Sequence, residues 1–204
     1  MRLGVFGGTF DPPHFGHLLL ASDAVERLSL DRVIFVPAYR QPLKDGRGGA
    51  SPMQRLAMTA LLIGDDPRFV LDGSEVERGG LSFTVDTLRD LHRRYRGADF
   101  HLLLGTDAVE LLPKWREPAE VLRLARLVVV GRGDLGATVP EAVRALAVAG
   151  AGEPLVLAAR RFDVSSTEIR ARLAEGRPIR GFVPDAVAAY IAGHGLYRGP
   201  AAER

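Results

Sequence analysis

Along the chain, short runs of Val, Ile, Leu and Phe alternate with longer stretches in which apolar residues recur at helical spacing. Strands buried on both faces read as continuous apolar runs, and the helices that cover them carry one apolar stripe. The runs Leu3 to Phe6, Arg32 to Val36, Phe69 to Asp72, Phe100 to Leu104, Leu127 to Val130 and Leu155 to Ala158 are therefore predicted strands. Helices are predicted near 16–28, 52–63, 84–95, 118–125 and 140–148, with two more at 166–175 and 185–193. This alternation predicts an α/β fold, a doubly wound, mostly parallel sheet covered on both faces. Such sheets bind ligands outside the carboxyl ends of their strands, where the strand order reverses. Three polar, glycine-bearing segments follow predicted strands and are expected to meet on one rim: "GGTFDPPHFGH" at 7–17, "GTD" at 105–107 and "GRGD" at 131–134.

Length and composition narrow the class. With 204 residues, 47% of them hydrophobic, the chain is expected to form one domain over 1–197, with a helical C-terminal part from about 165 and a frayed tail at 198–204. Its apolar stretches stop well short of the roughly 18 residues that cross a bilayer, and the N-terminus lacks a secretion-signal layout. A cytoplasmic protein without a membrane partner is the expectation. The absence of cysteine excludes disulfides, thiolate ligands and cysteine nucleophiles. Lys and Arg number 27 against 25 Asp and Glu, so net charge gives no ground for a nucleic-acid partner. Residues 39–50, "YRQPLKDGRGGA", are basic and glycine-rich and predict a mobile surface loop.

The chemistry concentrates in a few segments. Gly7 and Gly8 let the backbone turn off the first strand and approach a ligand. His14 and His17 then fall at the start of the next helix, where amide hydrogens and the positive end of the helix dipole attract anions. The glycine spacing does not match the dinucleotide fingerprint and no P-loop is present, which disfavours a classical dehydrogenase or P-loop enzyme. Spacing alone leaves the histidine pair three uses: phosphate donors, metal ligands with Asp11 as a third, or capping and packing. In "DVSSTEIR", 163–170, Ser165 and Glu168 have capping-box spacing and predict a helix start. Ser166, Thr167 and the first-turn amides there suit phosphate oxygens, with Arg170 one turn on as a bidentate donor, although an ordinary capped helix has the same pattern. Asp107 suits ribose hydroxyls or a helix N-cap. Trp115, in "PKWREP", suits either stacking on a planar ring or plain packing. His92 and His101 read as structural, and His194 as the end of the last helix.

Both motifs together resemble the nucleotidylyltransferase superfamily, marked by [HT]-x-G-H after the first strand and S-[ST]-T-x-[IVL]-[RK] near the C-terminus. Within it the chain is similar to bacterial nicotinate-nucleotide adenylyltransferases, through "GGTFDPPHFGH", "EVERGGLSFTVDTL" (75–88), "LLLGTDAVELLPKWREPAEVL" (102–122), "VSSTEIR" and "VPDAVAAYIAGHGLY" (183–197). The resemblance implies a Rossmann-like fold and a reaction of ATP with nicotinate mononucleotide, giving nicotinate adenine dinucleotide and pyrophosphate. It implies that His14 and His17 contact the ATP phosphates, with His17 the main catalytic residue and Arg170 assisting. Gly8, Thr9 and Phe10 would line the ATP site, Ser165, Ser166, Thr167 and Arg170 would hold the β and γ phosphates, and Gly105 and Asp107 would receive the adenosine. Thr84 and Trp115 would form the pyridine pocket, Trp115 stacking on the ring while amides near Thr84 and Arg116 meet the carboxylate. Mg²⁺ would arrive bound to ATP, with no dedicated protein metal site. One departure stands out: relatives often carry P-P-H-[KR] after the second strand, whereas this chain has "QPLK" at 41–44, which keeps Lys44 as a phosphate ligand but lacks the histidine. Other readings are a phosphopantetheine adenylyltransferase or cytidylyltransferase, a hydrolase using Asp11, His14 and His17 as metal ligands, and a nucleotide sensor without catalysis.

Overall fold

A computed structural model of the chain describes residues 1–43, 49–132, 139–160 and 162–199. Its elements run β1 (Arg2–Gly8), α1 (Phe15–Leu28), β2 (Arg32–Pro37), α2 (Pro52–Ile63), β3 (Phe69–Leu71), α3 (Ser74–Arg78), α4 (Thr84–Arg94) and β4 (Asp99–Gly105). They continue with α5 (Thr106–Leu111), a 3-10 turn (Leu112–Lys114), α6 (Pro118–Leu124), β5 (Arg126–Arg132), α7 (Glu141–Ala149), β6 (Leu155–Ala159), α8 (Ser166–Ala174) and α9 (Asp185–Gly193). The six predicted strands are present, and the seven predicted helices match to within one residue at either end. The short helices α3 and α5, 5 and 6 residues long, were not predicted, because so few residues cannot display a helical period.

The strands form one parallel sheet in the order β3-β2-β1-β4-β5-β6. The chain works outward from β1 to one edge, then crosses back to β4 on the other side of β1. The order therefore reverses between β1 and β4, and a crevice opens at their carboxyl ends, Gly8 and Gly105. Two of the three expected rim segments begin there. The third begins at β5, but 133–134 and the loop core 44–48 lie outside the described residues.

Alternation along the strands feeds two cores. Leu3 and Val5 of β1, Ile34 and Val36 of β2 and Leu127 and Val129 of β5 pack with Val85, Leu88, Val121 and Val143 from α4, α6 and α7. Phe6, Val33, Phe35, Val128 and Val130 face the other way, onto Ala21, Met58, Ile169, Val187 and Ile191 from α1, α2, α8 and α9. The C-terminal helices thus share a core with α1. Among the described residues no helix is long and apolar enough to cross a membrane.

One ion pair ties the far edge of the sheet to α1. The carboxylate of Asp23, 1% exposed, accepts from the Arg160 backbone N–H at 2.7 Å and from its Nε at 2.7 Å. Burial pushes the Asp23 pKa up, but the Arg160 hydrogen bonds and charge outweigh it and hold the carboxyl below its ordinary value. Arg160→Ala removes the guanidinium bonds and keeps the backbone one, so it is expected to cost roughly 1–3 kcal/mol in urea denaturation near neutral pH. A depressed folded pKa contributes stability above the unfolded pKa and loses it as pH falls through the folded value. The parent and variant should therefore converge on acidification, and an undiminished difference at the lowest pH where both stay folded would assign the effect elsewhere.

Candidate active site

The loop between β1 and α1 is built around packed rings. The Gly8 carbonyl accepts from Ala38 N–H at 2.9 Å, and a Cβ on Gly8 would press on the Phe10 ring at 3.1 Å. Phe10 takes a left-handed backbone, φ 51°, and drives its side chain into the core edge-on to Phe6. Only the Phe10 backbone is left for the expected nucleotide contact. His14 is the N-cap residue of α1, and its ring lies 3.8 Å from that of His17, centroid to centroid. A Cβ on Gly16 would sit 3.0 Å from His14 Cε1 and Nδ1, so a side chain there would crowd the His14 ring. Phe10 braces His17 from another side, with centroids 5.0 Å apart.

His14 N–H donates to His17 Nδ1 at 3.2 Å. With Nδ1 an acceptor, the neutral His17 ring carries its proton on Nε2, where it is a hydrogen-bond donor. The helix amides expected to serve the anion are largely used internally: Phe15 N–H donates to Phe182 O at 3.0 Å and His17 N–H to His14 O at 2.9 Å. The start of α1 is therefore not a bare helix end, and the paired imidazoles stand at it.

The second motif docks on this loop. Ser165 Oγ accepts from Glu168 N–H at 3.1 Å, giving the capping half of the expected box, and α8 starts at Ser166. Ser166 donates its hydroxyl to Pro12 O at 2.9 Å, and Arg170 Nη1 donates to Asp11 O at 2.6 Å. Arg170 Nη2 reaches Thr167 Oγ1 at 3.4 Å. Ser166 spends its only proton on the loop, so its hydroxyl holds the two motifs together, while the Arg170 guanidinium has more N–H groups than these two contacts use.

Asp11 is committed elsewhere. Its Oδ1 accepts from Ala50 N–H at 3.0 Å and from the Tyr197 hydroxyl, joining the loop after β2 to the C-terminal segment. Burial pushes the Tyr197 pKa well up, and its bond to the Asp11 carboxylate adds to this. Among the described residues no three His, Asp or Glu are placed to hold a metal ion, so a hydrolase built on Asp11, His14 and His17 lacks its ligand set.

Across the crevice, Gly105 ends β4 and serves as N-cap of α5, which places Asp107 exposed in the first turn and replaces the expected Asp107 N-cap. On the α4 side, Phe83 is the N-cap and offers no side-chain oxygen to the first-turn amides at Thr84 and Val85. Arg116 joins this region: its guanidinium lies 4.9 Å over the Phe83 ring and reaches Asp86 at 3.4 Å. Trp115 follows the 3-10 turn in extended conformation, half-buried against the α4 core, which combines the packing role with one accessible part. Thr84, Trp115 and Arg116 thus come together, while Lys44 lies outside the described residues. His101 is buried in β4, where burial lowers its pKa; His92 bonds Leu124 O, and His194 caps α9.

Sequence reasoning missed a set of buried polar residues. Arg55 on α2 is 5% exposed and donates to Thr9 O at 2.7 Å, Tyr39 O at 2.8 Å and Ala50 O at 3.3 Å. Burial lowers the pKa of its guanidinium, opposed by the negative charge of Asp11. Arg55 stands on the buried stripe with Met58, Thr59, Leu62 and Ile63, and a charge on an apolar stripe is the signal that could have found it. Glu75 on α3 is also buried and accepts from Thr87 Oγ1. Burial pushes its pKa up, while bonds from Thr87 and Ser82 pull it back.

The cytidylyltransferase-like family model matches residues 5–172. A protein of Gemmatimonas aurantiaca named as a probable nicotinate-nucleotide adenylyltransferase is 50% identical over 198 residues, covering 97% of this chain and 93% of its own. One of that name from Thermus thermophilus is 44% identical over 199 residues, covering 97% of this chain and 100% of its own. Among solved structures, nicotinic acid mononucleotide adenylyltransferase of Plasmodium falciparum complexed with NaAD superposes with a TM-score of 0.75 at 17% identity, covering 96% of this chain and 97% of that one. The fold is shared with that structure, and the chain belongs to the cytidylyltransferase-like family, among the nicotinate-nucleotide adenylyltransferases.

Proposed function

We infer that the protein is an adenylyltransferase that joins ATP and nicotinate mononucleotide, releasing pyrophosphate and forming nicotinate adenine dinucleotide for NAD biosynthesis. The observation that carries this reading is the docking of α8 on the loop that bears His14 and His17, through Ser166 to Pro12 O and Arg170 to Asp11 O, at the point where strand order reverses. A polyphosphate fits that cluster of donors. The α4 start with Trp115 and Arg116 offers a second half-site of different chemistry, an aromatic face beside amides and a guanidinium, suited to a pyridine carboxylate.

The reaction needs no covalent intermediate. A 5′-phosphate oxygen of the mononucleotide attacks the α-phosphorus of ATP, one P–O bond forms, the bond to the β-phosphate oxygen breaks, and pyrophosphate leaves with that electron pair. A phosphate is already a competent nucleophile at neutral pH, so the protein's task is to orient two polyanions, worth roughly 7–11 kcal/mol, and to stabilise charge as it shifts to the leaving group. His17 Nε2–H and Arg170 are the donors for that charge. The site presents hydrogen-bond donors, and Mg²⁺ is expected to enter with ATP, held by phosphate oxygens and water and neutralising the polyphosphate.

The direct test is pyrophosphate release from ATP with nicotinate mononucleotide, its amide and phosphopantetheine as acceptors. Turnover with the pyridine acceptors is expected, and turnover with phosphopantetheine alone would overturn the reading. His17→Ala should lower kcat by roughly 10²–10³ with the circular dichroism spectrum unchanged; a near-normal kcat would take His17 out of the chemistry. Trp115→Ala should raise KM for the mononucleotide several-fold more than KM for ATP, whereas equal effects would argue against stacking.

A further inference from the structure

A chain of polar contacts, buried at Arg55 and exposed at Tyr39, runs between the two half-sites. It starts at the Thr9 carbonyl, in the nucleotide loop, which accepts from Arg55 Nη1 at 2.7 Å. The same guanidinium passes through Nη2 to Tyr39 O at 2.8 Å, across the segment that follows β2. Tyr39 N–H donates to Ser82 Oγ at 2.9 Å, and Ser82 N–H returns the contact to Arg40 O at 2.9 Å. Two residues past Ser82, α4 begins, and within its first turns Thr87 Oγ1 donates to the buried Glu75. Ser82 and Thr87 flank Thr84, so the Tyr39 contact on one side and Glu75 on the other hold the start of α4.

A guanidinium is suited to the central position. Its planar fork can reach carbonyls of separate segments at fixed angles, which the single ammonium of lysine cannot. Burying the charge without a carboxylate in contact is costly, and carbonyl oxygens of Thr9, Tyr39 and Ala50 compensate it only while those segments hold their places. The spacing of the segments is therefore set by Arg55. Neither Arg55 nor Ser82 is needed for the sheet order, which backbone pairing already provides.

We propose that Arg55 and Ser82 are positioning residues that fix the nucleotide loop at Thr9 and the start of α4 at one separation, so that the attacking phosphate and the α-phosphorus meet in line. This rests on the two-substrate reading above. Neither residue touches the reacting atoms; each acts through backbone.

The test combines kinetics with amide hydrogen exchange on the full chain. Arg55→Lys is expected to raise both KM values and lower kcat by roughly 10- to 100-fold through misplacement. Ser82→Ala should raise KM for the mononucleotide while leaving KM for ATP near the parent value. In the double variant the effects on the mononucleotide KM should combine to less than the product of the single effects, since both act through one chain. Exchange should speed up at the Tyr39 and Ser82 amides in Arg55→Lys, with β5 and β6 unchanged. Arg55→Met is the more severe variant, and Arg55→Lys keeps the test open if Met prevents folding. Multiplicative effects, or exchange in Arg55→Lys that leaves Tyr39 and Ser82 at the parent rate, would overturn the proposal. If the parent makes no dinucleotide, the functional reading fails, and the exchange result decides the relay separately.

Discussion

The carbonyls of Asp11 and Pro12 are gripped by side chains that lie 159 and 154 residues further along the chain, Arg170 and Ser166. Much of the site depends on this contact. It presses the start of α8 against the loop that carries His14 and His17, and so brings two modest local motifs together. Each contact is an ordinary hydrogen bond, the one from Arg170 being charge-assisted. Their effect is large because they fix geometry. A phosphate between donors on two separately mobile segments would have to supply the ordering entropy itself.

The same loop illustrates how polar and apolar packing divide the work. Phe6, Phe10 and Phe35 form a buried aromatic wall behind His17, which leaves the imidazole few orientations. The His14 backbone then chooses the tautomer by donating to Nδ1. Asp11 is drawn out of the chemistry altogether and used as a staple between Ala50 and Tyr197. A carboxylate beside a polyphosphate would repel it; with Oδ1 bonded to an amide and a phenol, that charge is partly spent on structure.

On the other face of the sheet, α4 and the segment after the 3-10 turn meet through Arg116, Asp86 and Phe83. These are half-exposed contacts of small individual worth, and screening by water limits the ion pairs further. The buried constraint in this region is the pairing of Glu75 with Thr87, and Ser82 adds a more exposed contact with Tyr39. Buried polar side chains, Arg55 on one side and Glu75 on the other, therefore back the open edges of the crevice.

Sequence by itself determined the parallel sheet, because runs such as "RVIFVP" and "RLVVV" are apolar on both faces and are separated by helical periods. It also determined the start of α8, since Ser165 caps through a contact only three residues long. The family signatures His14-x-Gly16-His17 and Ser165-Ser166-Thr167 were legible because each is contiguous. Only the tertiary structure decided that Ser166 and Arg170 grip Asp11 and Pro12, that the α1 amides are largely occupied, and that Arg55 lies buried between Thr9 and Tyr39. The physical reason is range. Capping and strand periodicity act over a few residues and leave a local trace, whereas hydrogen bonds between distant loops exist only after the sheet order has brought those loops to one edge.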